Sequence, residues 1–329
     1  MRQSVPAPVP PRYFEYLPIG LFGSVMGLTG LSIAWRVAHV RYGAPLGVSD
    51  ALAALAVVDF VLLLLAYALK FATARDMVRA EFQHPIAVTT FATFWVSLLL
   101  LPIVVANESL WLARAMWFVG AAGIVPFACY VVSRWLKGQY KVEHAAPAWI
   151  LPVVGLLDLP LAVPVLDLPD LHVAMLVGLA VGMFFAVPLF TVVFARLVFA
   201  APMPPALEPS LLILVAPFAV GMSTYLATTG QLDLFAKSLY ALTLFMLAVL
   251  LARLRHLARC CPFRIGWWAV SFPLAASAIA ALRLAQFEPA WGADLMALAL
   301  LALATVVIVW MLARTLLGVV RGELRTLSS

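Results

Sequence analysis

Two carboxylic acids stand where acids are costly. Asp59 and Asp158 each fall inside a long apolar run, and a charge placed at the centre of a bilayer costs about 2.5–3.5 kcal/mol on insertion scales. The chemistry open to such a group is proton exchange, so each is a functional candidate. The competing reading of Asp158 is a neutral carboxyl, or one capped by backbone amides freed at the adjacent Pro160 break. Asp59 reads better as one half of a structural pair. No catalytic constellation accompanies them. His39, His84, His144, His172 and His256 sit at the ends of apolar runs or between them, which argues against paired haem ligands. There is no HExxH pair and no Gly-Lys-Ser/Thr phosphate loop, so neither a zinc hydrolase nor direct use of ATP is indicated. Cys129 lies within an apolar run, and Cys260 and Cys261 are adjacent without a CxxC partner, so no zinc site or disulfide framework is expected. The expectation is a protein without catalytic residues, metal or cofactor.

These acids must be positioned by membrane-spanning helices. Of 329 residues 65% are apolar and 11% charged, against about 25% charged in soluble domains, so lipid is the solvent for most of this surface. A spanning helix needs about 20 apolar residues. Ten segments qualify: 17–35, 51–69, 85–106, 111–132, 149–166, 171–199, 211–229, 234–254, 265–284 and 295–317. Residues 1–16 read as a short proline-rich segment without a signal-peptide cleavage site, residues 17–318 as one ten-helix domain, and 319–329 as a tail. Lys and Arg in short loops stay cytoplasmic. With the N-terminus inside, that side collects Arg2, Arg12, Lys70, Arg75, Arg79, Arg134, Lys137, Lys141 and Arg196, then Arg253, Arg255, Arg259, Arg264, Arg314, Arg321 and Arg325. The other side keeps Arg36, Arg41, Arg114, Lys237 and Arg283. Both termini are therefore expected in the cytoplasm, and the net charge of +6 is a topology signal rather than a nucleic-acid footprint.

Odd- and even-numbered segments differ in kind. Ser and Thr concentrate in the odd ones: Ser24, Thr29, Ser32, Thr89, Thr90, Thr93, Ser97, Ser223, Thr224, Thr228, Thr229, Ser271 and Ser277. The even ones hold Thr191, Ser238, Thr243, Thr305 and Thr315. Interior prolines follow the same parity, with Pro18, Pro102, Pro160, Pro164, Pro217 and Pro273 against Pro126 and Pro188. A proline frees a carbonyl, which hydrocarbon tolerates only where protein or a water-filled cavity can satisfy it. The odd helices should face protein and solvent, with the even helices outside them against lipid, the whole built as five helical hairpins.

The order of several short motifs carries a resemblance. Pro18, Gly20, Gly23, Gly27 and Leu31-Ser32-Ile33-Ala34-Trp35 open the chain. Val78-Arg79-Ala80-Glu81-Phe82 with His84-Pro85, Leu151-Pro152, Leu207-Glu208-Pro209 with Ala216-Pro217, and Gly266-Trp267-Trp268 with Ser271-Phe272-Pro273 follow. Together they resemble the bacterial tellurite-resistance (TehA) and dicarboxylate-transporter family, which includes plant guard-cell slow anion channels. The resemblance implies a trimer of plasma-membrane (bacterial inner-membrane) protomers, each with a pore ringed by the five odd helices and surrounded by the five even ones. It implies a gate at Phe272, with Gly23 leaving room beside the ring. It also implies small inorganic or organic anions as the permeant species, passed by a channel or, as the alternative, by a proton-coupled carrier of dicarboxylates or oxyanions with Asp158 as the proton site. Gly23, Gly27, Pro102, Pro160, Pro217 and Pro273 are the expected lining or kink positions, and hydroxyl groups the expected wall. Gly20, Gly23, Gly27 and Gly30 could equally form a helix-packing face, since small residues let membrane helices approach closely.

Overall fold

The computed structural model describes residues 13–138, 140–254 and 262–328. Arg2, Arg12, Arg255, Arg259, His256 and the Cys260–Cys261 pair lie outside the described residues. Among the described residues ten helices are long and apolar enough to cross a bilayer: Ile19–Tyr42, Leu46–Thr73, Ala87–Val105, Leu110–Leu136, Pro147–Leu166, His172–Phe199, Pro205–Thr229, Leu234–Arg253, Ile265–Phe287 and Trp291–Val320, named below as the first to tenth spans. The first span runs on to Tyr42 and the seventh begins at Pro205, beyond the apolar limits expected at Trp35 and Leu211. Apolar character marks the part of a helix inside hydrocarbon, whereas backbone hydrogen bonding carries the coil on through polar residues such as Arg36 and Arg41. A further helix, Arg75–Gln83, follows the second span and buries Val78. It carries too few apolar residues to stand out in a hydropathy reading.

The parity of the sequence is the parity of the packing. In the odd spans 72–83% of the central residues are buried, against 22–39% in the even spans. The first span packs on the third and ninth, the third on the fifth, the fifth on the seventh and the seventh on the ninth, which closes the circuit. Each even span lies against the odd span before it and turns residues such as Leu62, Leu65, Phe184, Phe245 and Val306 outward. An all-helical molecule with this apolar outer surface is an integral membrane protein. An even number of crossings puts both ends on one face, and the ion pair between Arg325 and Glu15 at 3.1 Å joins them there. This is the termini face; the opposite one is the far face.

The inner spans are also built differently. Each opens with a 3₁₀ stretch at the termini face, as in Ile19–Phe22, Ala87–Phe91, Pro147–Ile150, Pro205–Val215 and Ile265–Val270, before turning α-helical. Prolines mark the junctions. Pro152, Pro160 and Pro217 stand at the second residue of the α-segments Leu151–Val154, Leu159–Leu166 and Ala216–Thr229, and Pro273 at the third of Ser271–Phe287. The first turn of an α-helix makes no i to i−4 bonds, so a missing N–H costs least there. Pro102 and Pro164 are the exceptions, prolines within the α-segments Ala92–Val105 and Leu159–Leu166.

Candidate functional site

Two cavities lie end to end along the axis of the inner spans. The near cavity, on the termini side, has a volume of about 350 Å3 and is walled by all five odd spans, among others by Gly20, Gly23, Thr90, Thr93, Leu151, Ser210, Ala216, Trp268 and Pro273. The far cavity, of about 370 Å3, is again walled by the odd spans, through residues such as Ile33, Leu100, Leu161, Pro164, Val220 and Ile279. Among the described residues Phe272 is the one residue in both walls. Its side chain, 8% exposed, stands between the two spaces.

The ring is held by a close contact of the first and ninth spans. Ser271 Oγ donates to Trp268 O at 2.7 Å and lies 3.2 Å from Gly23 O. A Cβ on Gly27 would collide with the Ser271 side chain, and one on Gly30 would stand 2.9 Å from Ala275 Cβ and 3.4 Å from Cδ2 of Phe272. The glycine beside the ring is therefore Gly30. Gly23, expected there, lines the near cavity and would place a Cβ 3.8 Å from Trp268 O. The two positions are seven residues apart, two turns on one helix face, so spacing alone does not separate them.

The proline positions divide. Pro273 lines the near cavity. Pro160 meets Gly178 of the outer sixth span, Pro217 borders a separate apolar pocket against Met183 and Phe190 of that span, and Pro102 lines neither axial cavity. These three act at helix junctions and in packing. The wall, too, is more apolar than expected. Among the described hydroxyl residues only Thr90, Thr93 and Ser210 line the near cavity and only Ser223 the far one. Other hydroxyls join helices: Ser32 Oγ donates to Ser49 O at 2.8 Å, Ser97 Oγ to Phe22 O at 3.2 Å, and Thr224 Oγ1 to Leu157 O at 2.5 Å. In hydrocarbon a polar group needs such a partner, and these find theirs in the neighbouring backbone.

The two deep acids have different surroundings. Asp59 accepts a 2.5 Å hydrogen bond from Ser24 Oγ across the first and second spans, the structural pairing expected of it. Asp158 is 3% exposed, its Oδ1 meets no donor, and it lines neither axial cavity. A regular α-helix would carry Leu151, Asp158 and Leu161 on one face. Gly155–Asp158 runs as a 3₁₀ turn, with about three residues per turn instead of 3.6, and Asp158 lines neither wall although Leu151 and Leu161 do.

Three ionisable residues beyond the expected lining positions, Glu81, His84 and Arg283, border the cavities. Glu81, in the near wall, accepts from Lys70 Nζ at 2.8 Å, Tyr67 Oη at 3.1 Å and the backbone N–H of Ile19 at 2.7 Å. Lys70, 3% exposed, also donates to Leu17 O at 2.6 Å. His84 accepts the N–H groups of Ile86 and Ala87 on Nδ1, which makes it a helix start. Arg283 lies in the far wall, on the stripe Phe272, Ala276, Ile279, Arg283. That helical spacing from Phe272 is the signal that could have found it. Just outside the spans, hydrogen bonds from the Tyr225 hydroxyl and from backbone N–H groups hold the Asp233 carboxyl below the usual carboxylate range. Among the described residues no three His, Cys, Asp or Glu side chains come together as a metal site.

A ring of five buried helices around two axial cavities, inside a lipid-facing ring of five more, defines a membrane transport protein. A family profile described as voltage-dependent anion channel (SLAC1) matches residues 16–316. The chain belongs to this family of anion channels and transporters, in agreement with the resemblance carried by its motifs. It is 27% identical to the S-type anion channel SLAH3 of Arabidopsis thaliana over 311 residues, covering 91% of this chain and 48% of that protein. It is 28% identical over 264 residues to the tellurite resistance protein TehA homolog of Haemophilus influenzae, covering 80% of this chain and 79% of that one. An uncharacterized transporter of Methanocaldococcus jannaschii, MJ0762, is 25% identical over 285 residues, covering 80% and 83%. The chain thus spans about half the length of the plant relative and most of the length of the prokaryotic ones.

Proposed function

We propose that this protein is a passive channel for small anions, with its path through the two axial cavities and its gate at the Phe272 ring. The observation that carries this reading is the position of Phe272 as the one side chain common to both cavity walls. An apolar constriction stops ions by excluding water, and conduction needs binding that is weak enough to release; an apolar wall with few polar groups suits both. The membrane unit is residues 17–318, flanked by segments 1–16 and 319–329. Both termini face the cytoplasm, the membrane is the bacterial inner membrane, and three copies assemble with one pore each.

Asp158 favours a second reading, a proton-coupled carrier of small dicarboxylates or oxyanions, because its enclosed carboxyl has an oxygen without a donor. Its absence from both cavity walls weighs against that role. Purified protein in planar bilayers, with chloride, nitrate and small carboxylates exchanged in turn, decides between them. Anion-selective current that follows the electrochemical gradient of the anion alone supports the channel. Uptake that requires a proton gradient supports the carrier.

A further inference from the structure

The far cavity contains one ionisable side chain among its described lining residues, Arg283. Among the described lining residues the near cavity contains no Lys or Arg, and the acid in its wall, Glu81, is already matched by Lys70. Arg283 is not matched. Its Nη1 donates to Gln286 Oε1 at 3.3 Å, and Gln286 Nε2 donates in turn to Val37 O at 3.3 Å, a tether to the first span. No ion pair of Arg283 occurs among the described residues. Four carboxylates at the far ends of the spans have other partners: Asp50 has Arg36 at 3.6 Å, Asp294 has Arg41 at 3.1 Å, Glu288 has Lys237, and Asp233 accepts from Tyr225 Oη at 2.5 Å. Arg283 lies three helical turns beyond Phe272 on the same face, roughly 16 Å along the axis at 1.5 Å per residue.

We propose that Arg283 is an anion-capture site in the far cavity, taking small monovalent anions from the far side and holding them before they reach Phe272. This inference rests on the channel reading and names the residue that concentrates its substrate. The one hydroxyl among the described lining residues of the far cavity, Ser223, already donates to Ala219 O of its own helix at 3.2 Å, so a single cation dominates the field of the cavity. Low-dielectric walls focus that field and raise the local concentration of the opposite charge. The guanidinium fork also accepts planar oxyanions such as nitrate through two nitrogens at once. Because the near cavity has no such cation, anions approaching from the far side carry more current than those from the termini side.

The test uses Phe272→Ala as parent, so that the ring does not limit the current, and adds Arg283→Gln or Arg283→Lys. Currents are recorded at about 0.01 M salt, where the Debye length is about 30 Å, and at about 1 M, where it is about 3 Å. Arg283→Gln is expected to lower chloride and nitrate current severalfold at low salt and to abolish the asymmetry between the two directions. The difference is expected to vanish at high salt, and Arg283→Lys to keep most of the current. Equal currents in parent and Arg283→Gln at low salt would overturn the site, as would a deficit that persists unchanged at high salt. A parent that carries no anion current would overturn the channel reading instead. Nitrate-dependent thermal stabilisation of the detergent-purified protein at low salt then judges the site by itself: it is expected in the unsubstituted chain and lost in Arg283→Gln, and its retention in the variant overturns the proposal.

Discussion

Gly30 and Phe272 face each other across the first and ninth spans, with no room for a methyl group between their helices: a Cβ on Gly30 would lie 3.4 Å from the ring and 2.9 Å from Ala275 Cβ. Overpacking of this kind costs about 1–3 kcal/mol. Gly30→Ala is therefore expected to lower the midpoint of thermal unfolding, and Gly30→Ala with Ala275→Gly to recover most of the loss. A single variant as stable as the parent would show that the two helices part without strain.

Phe272→Ala is expected to raise anion conductance severalfold or more, because removing the ring joins two cavities and lets the constriction wet. Phe60→Ala is the control. Phe60 packs against Phe22 and Phe94 at ring-centroid distances of 5.7 and 6.1 Å, away from both axial cavities, and its loss should leave current unchanged. Near-wild-type currents from folded Phe272→Ala protein would remove the gate from that position.

Lys70→Met leaves the Glu81 carboxylate without its cation in the near wall. Breaking a buried pair at one partner costs about 3–5 kcal/mol, so Lys70→Met should unfold at markedly lower temperature, and adding Glu81→Gln should restore part of the stability. In whatever Lys70→Met protein remains folded, anion current should also fall, since an uncompensated negative charge borders the path. Undiminished stability in Lys70→Met would mean that the Tyr67 and Ile19 hydrogen bonds suffice to hold Glu81.

Asp158→Asn is expected to fold and to keep anion flux close to that of the parent, because the carboxyl touches neither cavity and its Oδ1 has no donor to lose. Flux measured with and without a proton gradient checks this. Loss of proton-driven accumulation, with downhill exchange intact, would instead establish Asp158 as a coupling site.

Cysteines introduced after Ala106 and after Leu254 should react with an impermeant thiol reagent from opposite sides of the membrane, the second only from the cytoplasm. The basic residues on the termini face motivate the orientation. Labelling of both from one side would break the alternation of the ten spans.

The sequence by itself determined the solvent, the number of crossings and the division into inner and outer helices. Each of these follows from composition summed along a helix. Leu62 and Phe184 can face lipid, whereas Pro217 or Thr224 needs protein or water nearby, whatever the detailed packing. What only the tertiary structure decided depends on helix phase and on partners distant in sequence. Asp158 lies off both cavity walls, although regular helical spacing from Leu151 and Leu161 would place it with them. The choice of Gly30 over Gly23 as neighbour of Phe272 was set by how far the first span slides along the ninth. Most hydroxyls that looked like pore wall proved to bond backbone carbonyls, of their own helix or of an adjacent span. Lys70 and Glu81 became a buried pair, and Arg283 a cation without a counter-charge among the described residues, through packing between separate helices.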